Sequence, residues 1–293
     1  MDTALAVDIG GTKMAAGLVT DDGEVVSSAT APSRADDDEG LFRVLLGLVD
    51  EVRGGGDVPG LRGHGVTVCV VGCGGPMTAG GETVSPLNIA VWRDFPLRSR
   101  LAEATGLATF VDNDAKALAL GEGWKGAAAG EDNFIAMVVS TGVGGGIVLD
   151  GRLLDGASGN AGHIGHVCGE PEGRGCAGGA RGCLEAEASG TSIAAANGRP
   201  AAEAGPEVVA RTGRLVGRAV ASVANLLALP LAVVAGSVAL GYGEPFFAAA
   251  QAELDAQARL SFSAGARIAP AGLGATGPLV GAAAVGWRGL EML

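Results

Sequence analysis

The chain has 293 residues, of which 48% are hydrophobic, and this is enough apolar material for two domains of ordinary size. Its formal net charge of -12 argues against nucleic acid as a partner, because phosphate backbones are bound through clustered Lys and Arg. The longest apolar runs are interrupted by polar residues or Pro, and Asp2 stands where a signal peptide carries positive charge, so we expect a cytoplasmic protein with no membrane partner.

The first 30 residues predict three antiparallel strands. The apolar run 4–9 ends in the turn Gly10-Gly11-Thr12-Lys13, and a second apolar run follows at 14–19. The turn Asp22-Gly23 then leads into EVVSSAT at 24–30. Glycine turns between short apolar runs are typical of hairpins.

Strands and helices alternate after these hairpins. Apolar spacing predicts a helix over Leu41–Val52, closed by the glycines at 54–56, and a second helix over Leu97–Thr105. The stretch GVTVCVVG at 65–72 predicts a buried strand, and another strand ends at Val111. This alternation predicts an α/β fold with helices on both faces of a sheet.

The stretch FVDNDAKALALGE at 110–122 is the predicted reaction centre. Asp112, Asn113 and Asp114 stand between a strand end and an Ala/Leu helix. Short polar residues at such a junction can cap the helix, or they can hold a carboxylate and an amide at the floor of a cleft. By itself the turn favours the cap, and the flanking glycine hairpins favour the reaction centre.

A second glycine hairpin covers residues 135–149 and repeats the pattern of residues 5–19. The repeat indicates duplication, with two hairpins facing each other across a cleft. Their backbone N–H groups would then suit a polyphosphate. The alternative for each hairpin alone is a plain tight turn.

The C-terminal part predicts three helices. The first follows residue 204 and ends before Pro230, and it is a candidate for a dimer interface. The other two cover 244–260 and 278–290.

Five motifs together resemble the ROK family of sugar kinases, repressors and open reading frames, within the actin, Hsp70 and hexokinase superfamily. The motifs are DIGGTK at 8–13, VDNDAKALALGE at 111–122, STGVGGG at 140–146, AGHIGH at 161–166 and GCLEAEASG at 182–190. The resemblance implies two ribonuclease H-like domains with ATP and sugar between them. The small domain would be 1–112 joined by the C-terminal helix at about 278–293, and the large domain 113–277 with a His/Cys loop at 156–185.

Asp114 is implied to be the catalytic base, and Asn113 a ligand of the sugar hydroxyls. Phosphoryl transfer needs a carboxylate that accepts the proton of the attacking hydroxyl, and Asp114 supplies one. The family's second Asn is Lys116 here, which could reach phosphate or lie at an exposed helix position.

The resemblance also implies an ATP and magnesium site. Asp8 would hold water around Mg²⁺, which takes few protein ligands. Lys13 could instead be a solvated hairpin residue. The implied nucleotide-binding residues are Asp8, Gly10, Gly11, Thr12, Lys13, Thr141, Gly142, Gly144 and Gly236.

The implied sugar ligands are Gly75, Asn88, Asn113, His163, His166 and Glu185. Family glucokinases usually carry Glu at the position of His163, and a neutral imidazole cannot reproduce a bidentate acceptor. The string AGHIGH is similar to that of bacterial N-acetylmannosamine kinases. The alternative is a His that satisfies a backbone carbonyl.

His166, Cys176 and Cys183 match three of the four positions at which the family binds structural zinc, and the fourth position is Gly178. Cys168 or water would have to complete the site. An odd number of cysteines, five, with three between 168 and 183, fits a reducing compartment with a local metal or functional cluster.

These observations predict a homodimeric kinase that transfers the γ-phosphate of Mg-ATP to the C6 hydroxyl of a hexose or hexosamine. Glucose and N-acetylmannosamine are the leading candidates for the substrate, and an amino sugar of the kanosamine type is a third candidate. ROK repressors carry an N-terminal helix-turn-helix, for which the seven residues before Asp8 leave no room. A catalytically silent sugar sensor is the remaining alternative.

Overall fold

The computed structural model describes residues 2–54 and 65–292, which form two compact units. Unit 1 comprises residues 1–125, 155–161 and 273–293, and unit 2 comprises residues 126–154 and 162–272. The last two of the three glycines predicted to close the first helix, at 54–56, lie outside the described residues.

The strands, in chain order, are β1 (Thr3–Ile9), β2 (Lys13–Thr20), β3 (Val25–Pro32), β4 (Val66–Cys73), β5 (Ala108–Asn113), β6 (Phe134–Val139), β7 (Val143–Leu149), β8 (Arg152–Leu153), β9 (Leu231–Ala235) and β10 (Arg267–Pro270). The α-helices are α1 (Asp38–Gly54), α2 (Leu97–Thr105), α3 (Asp114–Lys125), α4 (Leu184–Ala188), α5 (Gly190–Asn197), α6 (Pro206–Leu227), α7 (Ser237–Tyr242), α8 (Glu244–Gln257) and α9 (Gly277–Gly289). Single 3₁₀ turns lie at Ala79–Gly81, Ile164–His166, Ala201–Glu203 and Gly274–Thr276.

Unit 1 is built on a sheet with the strand order β3-β2-β1-β4-β5. The first three strands pair antiparallel, as the glycine turns predicted, and β1, β4 and β5 are parallel. Alternate side chains of each strand face opposite sides. Leu5 and Val7 therefore pack in the cluster with α1 and α2, whereas Ala4 and Ala6 pack in the cluster with α9.

The division of the structure differs from the predicted domain boundary at 112/113, because α3 belongs to unit 1. Two glycines bring α3 against α9: a Cβ atom at Gly121 would lie 2.8 Å from the Cα of Gly281. Such a close approach of two helices buries α3 against the C-terminal helix. Unit 1 also includes residues 273–293, which contain α9.

Unit 2 is built on a sheet with the strand order β10-β9-β6-β7-β8, in which β6 and β7 form the second glycine hairpin. Helices α6 and α8 pack closely, since a Cβ atom at Gly217 would lie 2.2 Å from the carbonyl oxygen of Ala250. The sequence patterns did not predict the short elements β8, α4, α5 and β10. Within residues 2–54 and 65–292, no helix combines the length and apolar character needed to cross a membrane.

Candidate active site

The carboxyl ends of β1, β4 and β5 lie together and bring Asp8 and Asp114, two acidic residues of unit 1, to the same end of the sheet. In the sheet register Asp8 pairs with Gly72, and Gly72 pairs with Asp112. A Cβ atom at Gly72 would lie 3.8 Å from Oδ1 of Asp8 and 3.6 Å from Cα of Asp114. Gly72 thus leaves the space between the Asp8 carboxylate and the start of α3 open.

Both carboxylates are poorly solvated. Burial, followed by the charge of Asp114, raises the pKa of Asp8 to about 7, against a smaller lowering by Lys13. Burial also raises the pKa of Asp114, against the lowering effect of the backbone N–H of Ala115. Desolvation makes a carboxylate a stronger proton acceptor, which is the property that a general base needs.

Asn113 and Asp114 also cap α3, so the two interpretations of this turn are compatible. The N–H of Ala115 donates to Oδ1 of Asn113 at 3.0 Å and to Oδ1 of Asp114 at 2.8 Å. This hydrogen bonding fixes both side chains at the first turn of the helix. The amide nitrogen of Asn113 is a donor suited to a sugar hydroxyl.

The β1–β2 turn lies beside the loop that carries Asn88. The N–H of Gly10 donates to the carbonyl of Lys13 at 3.1 Å, and Thr12 and Lys13 are exposed. A Cβ atom at Gly11 would lie 2.6 Å from Cβ of Asn88, so only glycine permits this approach. Unit 1 therefore brings the predicted phosphate turn and a predicted sugar ligand together.

The loop before α2 carries Gly75 and Trp92. The carbonyl of Gly75 accepts from the N–H of Leu87 at 3.1 Å. Trp92 is fully buried, stacks on Phe95, and donates from Nε1 to the carbonyl of Asp38 at 3.2 Å. Trp92 is a core residue.

One of the two alternatives predicted for Lys116 was an exposed helix position. The structure shows that this alternative is wrong. The side chain is 1% exposed, and Nζ donates to Oδ1 of Asp155 at 2.7 Å and to the carbonyl of Gly159 at 2.8 Å. Burial of an ammonium group requires such partners. Periodicity failed here because the partners come from a segment 39 to 43 residues further along the chain.

In unit 2, the glycine turn after β6 borders a cavity of about 360 Å³. The carbonyl of Ser140 accepts from the N–H of Gly190 at 2.7 Å, and the carbonyl of Thr141 accepts from Oγ1 of Thr191 at 3.0 Å, so the turn is tied to the start of α5. The cavity is lined by Ser140, Thr141, Gly190, Thr191, Ala201, Ala202, Ser237, Val238, Gly241 and Tyr242.

Gly236 stands at the end of β9, directly before α7 and this cavity. Its φ is +100°, and a Cβ atom there would lie 2.3 Å from the carbonyl oxygen of Val139. Only glycine fits. Of the cavity residues, the sequence prediction named Thr141 and missed Ser140, Thr191, Ser237 and Tyr242. The hydroxyl residues directly after Gly190 and Gly236 are the signal that could have found Thr191 and Ser237.

Unit 2 also holds the remaining predicted sugar ligands. The ring centroids of His163 and His166 are 6.0 Å apart, and Oε2 of Glu185 accepts from the N–H of Val143 at 2.9 Å. The bond to Val143 ties Glu185 to the first residue of β7, next to the predicted phosphate turn with Gly142 and Gly144.

Three of the four predicted metal ligands cluster in unit 2. Single donor atoms of His166, Cys176 and Cys183 all lie within 4.8 Å of one another, and Cys176 Sγ is 3.4 Å from Nδ1 of His166. Cys168 is exposed and is not part of this group, although its backbone pairs with that of Cys183 in an isolated β-bridge. A Cβ atom at Gly178 would lie 3.8 Å from both Cys176 Sγ and His166 Nδ1.

The chain superposes on the crystal structure of a ROK family glucokinase from Streptomyces griseus in complex with glucose and AMPPNP, with a TM-score of 0.82 and 28% identity. The superposition covers 96% of this chain and 98% of that one. The structure therefore has the actin-like ATPase fold, which confirms the predicted fold class.

Residues 4–287 match the ROK family, so the chain belongs to that family and the predicted resemblance is confirmed. The glucokinase of Thermotoga maritima is 39% identical over 194 residues, or 64% of this chain, which spans 58% of that protein's length. The N-acetylmannosamine kinase of Escherichia fergusonii is 35% identical over 257 residues, or 82% of this chain and 85% of that protein.

Proposed function

We propose that the protein is an ATP-dependent kinase that phosphorylates the C6 hydroxyl of an aldohexose or hexosamine. The observation that carries the proposal is the desolvated carboxylate of Asp114 at the first residue of α3, beside Asp8. The names of the relatives and the sugar and nucleotide analogue bound to the Streptomyces griseus glucokinase support it.

Asp114 is the proposed base. As the C6 oxygen attacks the γ-phosphorus of ATP, the O–H bond of the hydroxyl breaks and its proton passes to the Asp114 carboxylate. A new O–P bond forms, the bond from the γ-phosphorus to the bridging oxygen breaks, and ADP leaves with that electron pair. Asn113 would orient the sugar through its amide, so positioning and base catalysis come from adjacent residues.

Asp8 is the proposed link to magnesium, which when bound would neutralise charge on the phosphates. Its raised pKa fits this role, because a desolvated carboxylate gains more from a nearby cation than a solvated one does. In the β1–β2 turn, Gly10, Gly11 and Thr12 would offer backbone N–H groups to phosphate, with Lys13 as a nearby cation.

The cavity of about 360 Å³ in unit 2 is the proposed nucleotide site. Its volume is within the range of small-molecule pockets, and its lining combines hydroxyl groups with small apolar residues. Thr141, Gly142 and Gly144 would contact the phosphates, and Gly236 would lie beneath the adenosine.

Glucose is the proposed substrate, and N-acetylmannosamine is the second candidate. His163 favours the second, because an imidazole replaces the carboxylate that the family resemblance implies for glucokinases. His166, Glu185, Asn88 and Gly75 would contact the sugar in either case. A kanosamine-type amino sugar is a third candidate.

The donor set of His166, Cys176 and Cys183 fits zinc as three of four ligands. The metal would hold Nδ1 of His166, which lies 3.4 Å from Cys176 Sγ, and would leave Nε2 for a sugar hydroxyl. Its contribution would be structural. We expect water rather than Cys168 as the fourth ligand.

We also expect a cytoplasmic homodimer. The five cysteines are free thiols in the structure, which suits a reducing compartment. Light scattering of the purified protein tests the assembly.

A coupled assay that follows ADP release tests the function. ATP and Mg²⁺ are mixed with glucose, mannose, N-acetylmannosamine, N-acetylglucosamine or kanosamine, and we expect turnover with at least glucose or N-acetylmannosamine. Absence of ADP with every sugar, from protein that binds one of them in calorimetry, would identify a silent sugar sensor instead.

A further inference from the structure

Among the residues that the structure describes, Lys116 is the most buried cation whose role the proposed mechanism leaves open. It lies two residues after Asp114, on the first turn of α3, and its two short hydrogen bonds go to Asp155 and to the carbonyl of Gly159. A third group, Oδ1 of Asp112, lies 3.6 Å from Nζ.

The partners of Lys116 form a closed set of charges within unit 1. Oδ2 of Asp155 accepts from Nη2 of Arg288 at 2.9 Å, and Nη1 of Arg288 lies 3.8 Å from Oδ2 of Asp112. Two cations and two carboxylates therefore alternate around the set. Removal of Lys116 would still leave Asp155 paired with Arg288.

The segment 155–161 depends on these polar contacts for its position. None of its seven residues is buried, and it borders a cavity of about 340 Å³ in place of a packed apolar surface. Besides Lys116 and Arg288, it is held by Nδ2 of Asn160, which donates to the carbonyl of Met77 at 3.2 Å. Within the segment, the N–H of Ala161 donates to the carbonyl of Asp155 at 3.0 Å.

The chain enters segment 155–161 from residues of unit 2 and returns to them at Gly162. His163, the proposed selector of the sugar, follows Asn160 by three residues. Three residues span at most about 11 Å, so the anchored segment lies next to His163 along the chain.

We propose that Lys116 is a positioning residue for the sugar site. It anchors segment 155–161 to the helix that begins with Asp114, and the residue thereby controls sugar binding without contacting the sugar. The inference rests on the proposed function for its kinetic part only, since the anchoring itself can be measured in the absence of any substrate.

The test compares Lys116→Met with Lys125→Met, a matched control at the exposed last residue of the same helix. Hydrogen exchange followed by mass spectrometry on the peptide that spans 155–161 reports the anchoring directly. We expect amide exchange in that peptide to rise about tenfold or more in Lys116→Met and to stay unchanged in Lys125→Met. Peptides from β1 and β4 should exchange alike in all proteins, which shows that unit 1 is folded.

Steady-state kinetics give the second measurement. Lys116→Met should raise the KM for the sugar about tenfold while kcat and the KM for ATP stay within about threefold. Asp155→Asn should act in the same direction, and the double variant should be less impaired than the two single effects together predict. The proposed role of Lys116 would be overturned by unchanged exchange at 155–161 in Lys116→Met. It would also be overturned if this variant lost kcat to the same extent with every sugar. If Lys116→Met alters exchange at 155–161 but the wild-type protein phosphorylates no sugar, the proposed function alone would be overturned.

Discussion

Asp8 and Asp114 lie at the same desolvated end of the unit 1 sheet, where burial and then the charge of Asp114 raise the pKa of Asp8 to about 7. Repulsion between two poorly solvated carboxylates destabilises the protein until a proton or a cation compensates it. The same arrangement would supply a strong base and a magnesium ligand, so the proposed site is formed at a cost in stability.

The raised pKa of Asp8 predicts a pH-dependent stability. Folded Asp8 binds its proton up to about pH 7, whereas the unfolded side chain releases it near 3.8. Between these values the folded state holds more protons, so the free energy of unfolding falls as pH rises. Without nucleotide or magnesium, the stability of Asp8→Asn relative to wild type should increase by about 2 to 3 kcal/mol between pH 5 and pH 8. Urea unfolding at each pH measures this, and a constant difference would contradict it.

Asp114→Asn should lower kcat by about 10²- to 10⁴-fold and leave the Kd for the sugar nearly unchanged, because only the proton acceptor is lost. Oδ1 of Asn can still accept from the N–H of Ala115, so the cap of α3 should remain. Coupled ADP release gives kcat, calorimetry gives the Kd, and thermal unfolding is the control for folding. Comparable turnover in the variant would remove Asp114 from its proposed role.

His163→Glu should move the ratio of kcat/KM for glucose over N-acetylmannosamine toward glucose by about tenfold, since a carboxylate accepts two hydrogen bonds from sugar hydroxyls. His163→Gln is the control, because it removes the imidazole without adding a carboxylate. The ratio is measured for both variants in the same coupled assay. An unchanged ranking of the two sugars would show that residue 163 does not select.

Protein purified without chelator should contain about one zinc per chain, and Gly178→Cys should bind zinc at least about tenfold more tightly by adding a third thiolate. Competition with a chromophoric chelator gives the affinity, and the charge-transfer band of the Co²⁺ form counts the thiolates. Cys168→Ser should leave the affinity unchanged. Wild-type protein without stoichiometric metal would argue against the site.

Gly236→Ala should destabilise the protein by about 1 to 3 kcal/mol and raise the KM for ATP, because the new Cβ meets the carbonyl of Val139 at 2.3 Å at a φ of +100°. Gly47→Ala in α1 is the matched control, since a Cβ there meets nothing within 4 Å. This change should stabilise by about 0.5 to 1 kcal/mol. Urea unfolding compares the two, and equal behaviour would contradict the close approach at Gly236.

Local sequence patterns predicted the glycine hairpins and the longer helices well. Apolar spacing placed α1, α2, α6 and α8 within a few residues of their limits, since these elements bury one face against a sheet or a neighbouring helix. The short elements α4 and α5 were missed because one or two turns carry too few residues to show a period.

The sequence by itself determined the family, the two glycine turns and the acidic junction at Asp114, because each depends on adjacent residues whose backbone conformation and chemistry are local. Only the tertiary structure decided that α3 belongs with the first unit, that Cys168 lies outside the His/Cys cluster, and that Lys116 is buried against Asp155. These facts depend on pairings between residues far apart in the chain, and no local period or spacing records which distant side chain will supply the partner for a buried charge.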